Sequence, residues 1–101
     1  MQKITRYTTP TLTFSLPFES SYLKTICVTI WQRGTTINKE STDCTISDKT
    51  LTCDLTQAET GQLEAGKETN VQVRYVGTDG KAYASEKFKV EVENVLKEGV
   101  I

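Results

Sequence analysis

Residues 50–75, TLTCDLTQAETGQLEAGKETNVQVRY, constrain the fold more than any other stretch, because two alternating segments flank a helix start. Leu51, Cys53 and Leu55 alternate with Thr50, Thr52, Asp54 and Thr56, a period of two with one apolar face. Thr56-Gln57-Ala58-Glu59 then follows the capping-box rule, in which the Thr56 hydroxyl accepts from the Glu59 amide while the Glu59 carboxylate reaches back to the Thr56 amide. Gly61 weakens a helix from within, and Gly66 is placed to end it in the left-handed conformation, so one or two turns are expected. Val71, Val73 and Tyr75 resume the period of two. Strand, short helical crossover, strand is the grammar of a β-sandwich edge, and it carries no chemistry of its own.

The same alternation runs through the rest of the chain. Leu12, Phe14 and Leu16 face one way in a strand over 11–16, which Pro17 stops because proline cannot donate to a ladder. Residues 18–21 read as a loop. Residues 23–32 are the most apolar strand, with Ile26, Val28 and Ile30 on one face and Cys27, Thr29 and Trp31 on the other. Arg33-Gly34 turns it into a return strand over 35–39, and 40–42 read as a connection or a sheet-crossing kink. A hairpin tip at Asp48-Lys49 pairs Ile46 with Leu51 and Cys44 with Cys53 on one face, and ordinary tip residues imply a type I turn. Asp79-Gly80 is the strongest local hairpin signal. A two-residue turn there pairs Val71 with Phe88 and Tyr75 with Ala84, but sets Glu86 against Val73 on the apolar face. Either Glu86 sits at a bulge or the loop is longer than two residues. Seventeen threonines, mostly at alternate positions, suit half-exposed strands. With 101 residues, the expectation is one all-β domain: an immunoglobulin-like antiparallel β-sandwich of seven or eight strands with one short helical turn. Residues 1–10 form an N-terminal lead-in, 11–93 the sandwich and 94–101 a C-terminal arm.

Twelve basic residues balance thirteen acidic ones without a block of like sign, which argues against phosphate-driven nucleic-acid binding and against a polybasic membrane surface. The opening MQKITRYTTPTLTF lacks a signal peptide's apolar run, and nothing approaches transmembrane length, so synthesis in the cytoplasm without a cleaved signal is expected. The chain has no histidine, the commonest general base and a frequent metal ligand. Cys27, Cys44 and Cys53 lack C-x-x-C spacing and a fourth ligand, so no zinc site is expected. Cys44 and Cys53 are readable as a cross-strand disulfide or as two small buried thiols, and the missing export signal favours thiols. Cys27 is expected beneath or beside Trp31. Serines have no histidine to activate them, Gly-x-Ser-x-Gly is absent, and Asp43, Asp54 and Glu68 read better as solvated edge or cap residues than as paired catalytic carboxylates. No enzymatic activity and no cofactor are expected. Trp31 with Tyr7, Tyr22, Tyr75 and Tyr83 is readable as a sugar-stacking platform or as core and interface. The last eight residues add Val95, Leu96, Val100 and Ile101, too apolar for an idle end. They suit an arm that docks on another subunit or partner, or a tail folded back over its own sandwich.

The chain resembles small β-sandwich proteins encoded beside the tail genes of phages and prophages of gut Firmicutes. More loosely, it resembles the N-terminal domain of phage baseplate upper proteins. The resemblance is carried by TLTFSL at 11–16, by the hairpin over 44–55 with its continuation to Thr60, and by Gly66 followed by Val71-x-Val73-x-Tyr75. Thr78-Asp79-Gly80 before a final alternating strand completes it. The chain departs from the baseplate domain between its first two strands, where only 17–22 stand in place of a longer Asp/Gly-rich stretch. What the resemblance implies is a non-enzymatic structural protein of a phage tail or baseplate, in the virion, acting through contacts with other tail proteins or with itself as a homo-oligomer. It implies no catalytic residue. The contrasting reading is a bacterial surface adhesion or carbohydrate-binding module, for which Trp31 is the candidate contact. Val95, Leu96, Val100, Ile101 and Trp31 are thus the candidate interaction residues.

Overall fold

The computed structural model describes residues 2–101 as two facing β-sheets. The strands are β1 (Gln2–Thr5), β2 (Thr11–Ser15), β3 (Leu23–Gln32), β4 (Thr35–Glu40), β5 (Cys44–Ser47), β6 (Thr50–Asp54), β7 (Thr69–Gly77), β8 (Ala82–Ala84) and β9 (Phe88–Glu93). The single α-helix is α1 (Gln57–Gly61). The larger sheet runs β1-β9-β7-β3-β4, with β8 also pairing β7, and the smaller runs β2-β6-β5. The fold is therefore an all-β, immunoglobulin-like sandwich, antiparallel except where β1 joins β9 in parallel. Its core closes because the period-two faces meet. Leu12, Phe14, Leu51, Cys53 and Leu55 come from the smaller sheet and its exit, and Ile26, Val28, Ile30, Val71, Val73 and Val90 from the larger.

Three local expectations are corrected. The polar lead-in contains β1, whose one inward residue, Ile4, is fully buried, so a single apolar side chain and a parallel ladder recruit it. The helix stops after one turn at Gly61, and Gly66, although left-handed at φ 77°, lies in the connection beyond it. The hairpin at Asp48-Lys49 has the expected register, Cys44 opposite Cys53 and Ile46 opposite Leu51. Its turn is not type I, since Asp48 takes φ 52°. A two-residue loop between twisted strands favours turns with positive φ.

The second hairpin answers the Glu86 question in both ways. The Gly77 amide donates to Lys81 O at 2.9 Å and the Gly80 amide to Gly77 O at 3.0 Å, closing a three-residue loop with Gly80 at φ 80°. The register shifts by one, so Tyr75 pairs with Tyr83 rather than Ala84. Residues 85–87 then take up the slack, and Phe88 returns to Val71 as expected. Within that irregularity the Ser85 amide donates to Val73 O at 2.7 Å, the Val73 amide donates to Ser85 Oγ at 2.9 Å, and Glu86 is turned out to solvent.

Candidate functional site

Residues 94–101 lie against the sandwich through polar ties. Arg6 Nη1 donates to Asn94 Oδ1 at 2.8 Å and forms an ion pair with Glu98. The other end is held by Gln57 of α1: the Ile101 amide donates to Gln57 Oε1 at 2.9 Å, and Gln57 Nε2 donates to Ile101 O at 3.3 Å. Arg6 itself is fixed by donating to Gly61 O at 3.0 Å, on the last residue of α1, and to Leu63 O at 2.5 Å just beyond it, with its guanidinium 5.1 Å from the Tyr7 ring centre. The hydrogen bond and charge of Arg6 hold the Glu98 carboxyl below its ordinary range. The apolar side chains do not share in this docking. Leu96 and Ile101 are fully exposed, Val100 is 62% exposed beside Thr9 and Thr56, and only Val95 is half-buried. The segment is folded back, yet its greasy side is turned outward.

Trp31 stands apart from this segment, on the outer face of the larger sheet, 44% exposed. Asn70 is its partner across β3 and β7, Gln72 is the partner of Thr29, and these three line one shallow hollow with Trp31 and Lys87. Gln72 Nε2 donates to Ser85 O at 3.0 Å, which orients that amide, and Thr29 Oγ1 donates to Asn38 Oδ1 at 2.7 Å. The amides beside Trp31 were invisible along the chain because the ladder, not sequence proximity, brings them there. The Cys27 sulfur lies 3.9 Å from Thr29 Oγ1, the residue between it and Trp31 on that face.

The tyrosines that a sugar-stacking platform would set beside Trp31 lie elsewhere. Tyr7 sits over Gly61, where an added Cβ would come within 2.4 Å of its ring. Tyr22, Tyr75 and Tyr83 gather with Phe18 at one end of the sandwich. Tyr75 and Tyr83 stack with centroids 5.4 Å apart, and Phe18 tilts onto Tyr83 at 5.6 Å. Asp79 stands beside them: its Oδ2 accepts from the Tyr83 hydroxyl at 2.9 Å and its Oδ1 from the Lys81 amide at 3.0 Å. Those bonds, the Lys81 amide first, hold the Asp79 carboxyl below its usual range, and the same contact raises the Tyr83 phenol. Along the chain Phe18 reads as loop and Asp79 as turn punctuation, so only the Tyr residues of this cluster carry a signal.

Cys27, Cys44 and Cys53 are free thiols. Burial, and then the facing Cys44, push the Cys53 thiol up to about 12, and burial also raises Cys44. Neither is poised as a thiolate nucleophile at neutral pH. Among the described residues no group of three or more His, Cys, Asp or Glu side chains gathers as metal ligands, and no helix is long and apolar enough to cross a membrane. Together these features define the class at the level of an all-β sandwich with exposed apolar and aromatic surfaces. Comparison with protein-family models, with curated proteins and with solved structures finds no match.

Proposed function

We propose that the protein is a non-enzymatic structural component of a phage or prophage tail or baseplate, working through protein–protein contacts, with 94–101 as its docking segment. The tail assignment rests on the resemblance of the strand and hairpin motifs. The docking assignment rests on one observation: polar ties to Arg6 and Gln57 hold the segment while Leu96 and Ile101 are presented wholly to solvent. A tail that merely covered its own sandwich would bury those side chains, each worth about 1.5–3 kcal/mol when fully removed from water. The occupant is a second copy or a neighbouring tail protein. Light scattering on the full chain, on Leu96→Ser with Ile101→Ser, and on a chain ending at residue 93 tests this. The full chain is expected to associate and both variants to be monomers. A monomeric full chain whose segment is mobile by NMR removes the docking role within this protein alone.

A second reading, glycan binding on the outer face of the larger sheet, is favoured by the hollow that sets Asn70 and Gln72 beside Trp31, since an indole plane with neighbouring amides suits stacking on a sugar ring and bonding its hydroxyls. Saturable quenching of the single tryptophan by oligosaccharides, lost in Gln72→Ala, supports it. Unchanged fluorescence across a glycan panel rejects it.

A further inference from the structure

The aromatic cleft at the end of the sandwich belongs to neither reading. From its walls and charge we infer that it binds a quaternary ammonium group, a permanently charged cation without N–H donors. The hollow, about 580 Å³, is walled by Phe18, Tyr22, Tyr75 and Tyr83, with Asp79 at its rim. That volume falls within the range of small-ligand sites, roughly 300–1,000 Å³. Among the described residues no lysine or arginine lines it, so the carboxylate is not neutralised from within. Aromatic faces and one carboxylate together form an electrostatic complement to a cation.

The hydrogen bonds narrow the class of cation. Both Asp79 oxygens already accept a bond, one from Lys81 and one from Tyr83. What the cleft offers is therefore mainly charge and aromatic surface, with one further lone pair left on each carboxylate oxygen, fewer acceptors than an ammonium's three N–H donors require. A primary ammonium is strongly hydrated and needs acceptors to replace its water, whereas a quaternary ammonium needs none. The cleft is also assembled before any ligand arrives. The Thr78 amide donates to Tyr22 O at 2.8 Å, tying the loop that bears Phe18 and Tyr22 to the turn that bears Asp79. Gly77 makes room for the carboxylate, since a Cβ there would lie 2.8 Å from Asp79 Oδ1. Such preorganisation reduces the ordering cost of binding.

The experiment is an NMR titration of the ¹⁵N-labelled full chain with choline chloride, at constant ionic strength, against 3,3-dimethylbutan-1-ol, its uncharged isostere. Saturable shifts at Tyr22, Thr78, Asp79 and Gly80 are expected with choline, and binding about tenfold weaker with the isostere, because shape is kept and charge removed. Asp79→Asn should weaken choline by a similar factor. Tyr22→Ala should abolish the shifts, and since Tyr22 is 58% exposed the fold should survive this change. Equal affinity for the two ligands would reduce the cleft to an apolar hollow and overturn the inference. So would choline shifts unchanged in Tyr22→Ala, or no saturable shifts at all.

Discussion

Lys39 is a charged residue at an inward position of β4, 7% exposed, and it is tolerated because Glu59 meets it with both oxygens, at 2.9 and 3.0 Å. Burial pulls the Lys39 ammonium down, but the bond and charge of Glu59 outweigh it and leave it raised. Burial likewise pushes the Glu59 carboxyl up, and bonds from Lys39 and the Thr56 amide leave it lowered. Lys39→Met is expected to cost about 1–3 kcal/mol, less than the ~3–5 of a fully buried pair because the Glu59 side chain is 23% exposed. The sign of its pH dependence follows from Glu59. A depressed folded pKa contributes stability above the unfolded value, near 4.5, that is lost as pH falls through the folded one. Chemical denaturation should therefore show the gap between wild type and variant closing below that pH; a constant gap would mean that the pair is not what holds Lys39. At the cysteines, burial and raised pKa values predict that Cys44 and Cys53 resist iodoacetamide at neutral pH in the folded protein. Unfolding without reductant should then expose three alkylatable thiols by mass spectrometry. A Cys44–Cys53 cross-link in that experiment would contradict the free-thiol state.

The connection that carries the chain from β6 to β7, α1, is a helix of five residues, far too short to persist alone. Its reciprocal cap holds it: the Glu59 amide donates to Thr56 Oγ1 at 3.1 Å, and the Thr56 amide donates to Glu59 Oε1 at 2.9 Å. The buried Thr60 anchors the opposite side, its hydroxyl donating to Thr8 O at 2.9 Å and accepting from the Thr8 amide at 3.1 Å. Thr56→Ala should cost about 0.5–2 kcal/mol by denaturation, as the loss of an N-cap oxygen does elsewhere. An unchanged midpoint would show that packing alone keeps α1 in place. Edges are managed by side chains in the same way. Gln2 Nε2 donates to Thr13 O at 3.0 Å, occupying part of the free edge of β2. The Ile26 amide donates to Ser41 Oγ at 2.8 Å where β4 has already left β3.

At the scale of the molecule, Arg6 ties the chain's two ends and the crossover together. Its fork serves Leu63, Gly61, Asn94 and Glu98 at once, a geometry that a lysine's point charge does not reproduce. Arg6→Ala is expected to cost at least about 1.5–3 kcal/mol, the scale of a single hydrogen bond to a charged group. It should also release 94–101, read as faster amide exchange at Val95 and Ile101, and Arg6→Lys should rescue little. Acid should loosen the same segment in the wild type, because the Glu98 carboxyl is held low by Arg6 and its tie disappears as pH falls through that depressed value. Unaltered exchange in Arg6→Ala would show that Gln57 alone holds the segment.

Period-two alternation determined most of the strands, the core face and the Cys44–Cys53 register, because burial on a pleated sheet imposes that period locally. The cap of α1 was equally legible, since its partners stand three residues apart. What tertiary structure decided was every arrangement whose partners are distant along the chain. β1 joins the sheet through one isoleucine and a parallel ladder, Arg6 reaches residues 55 to 92 positions away, and Asn70 and Gln72 meet Trp31 and Thr29 only across β3 and β7. Phe18 and Tyr22 meet Tyr83 and Asp79 because a loop and a hairpin close at one end of the sandwich. No local period encodes such meetings. They follow from which strands pair, and pairing is set by the whole core closing at once.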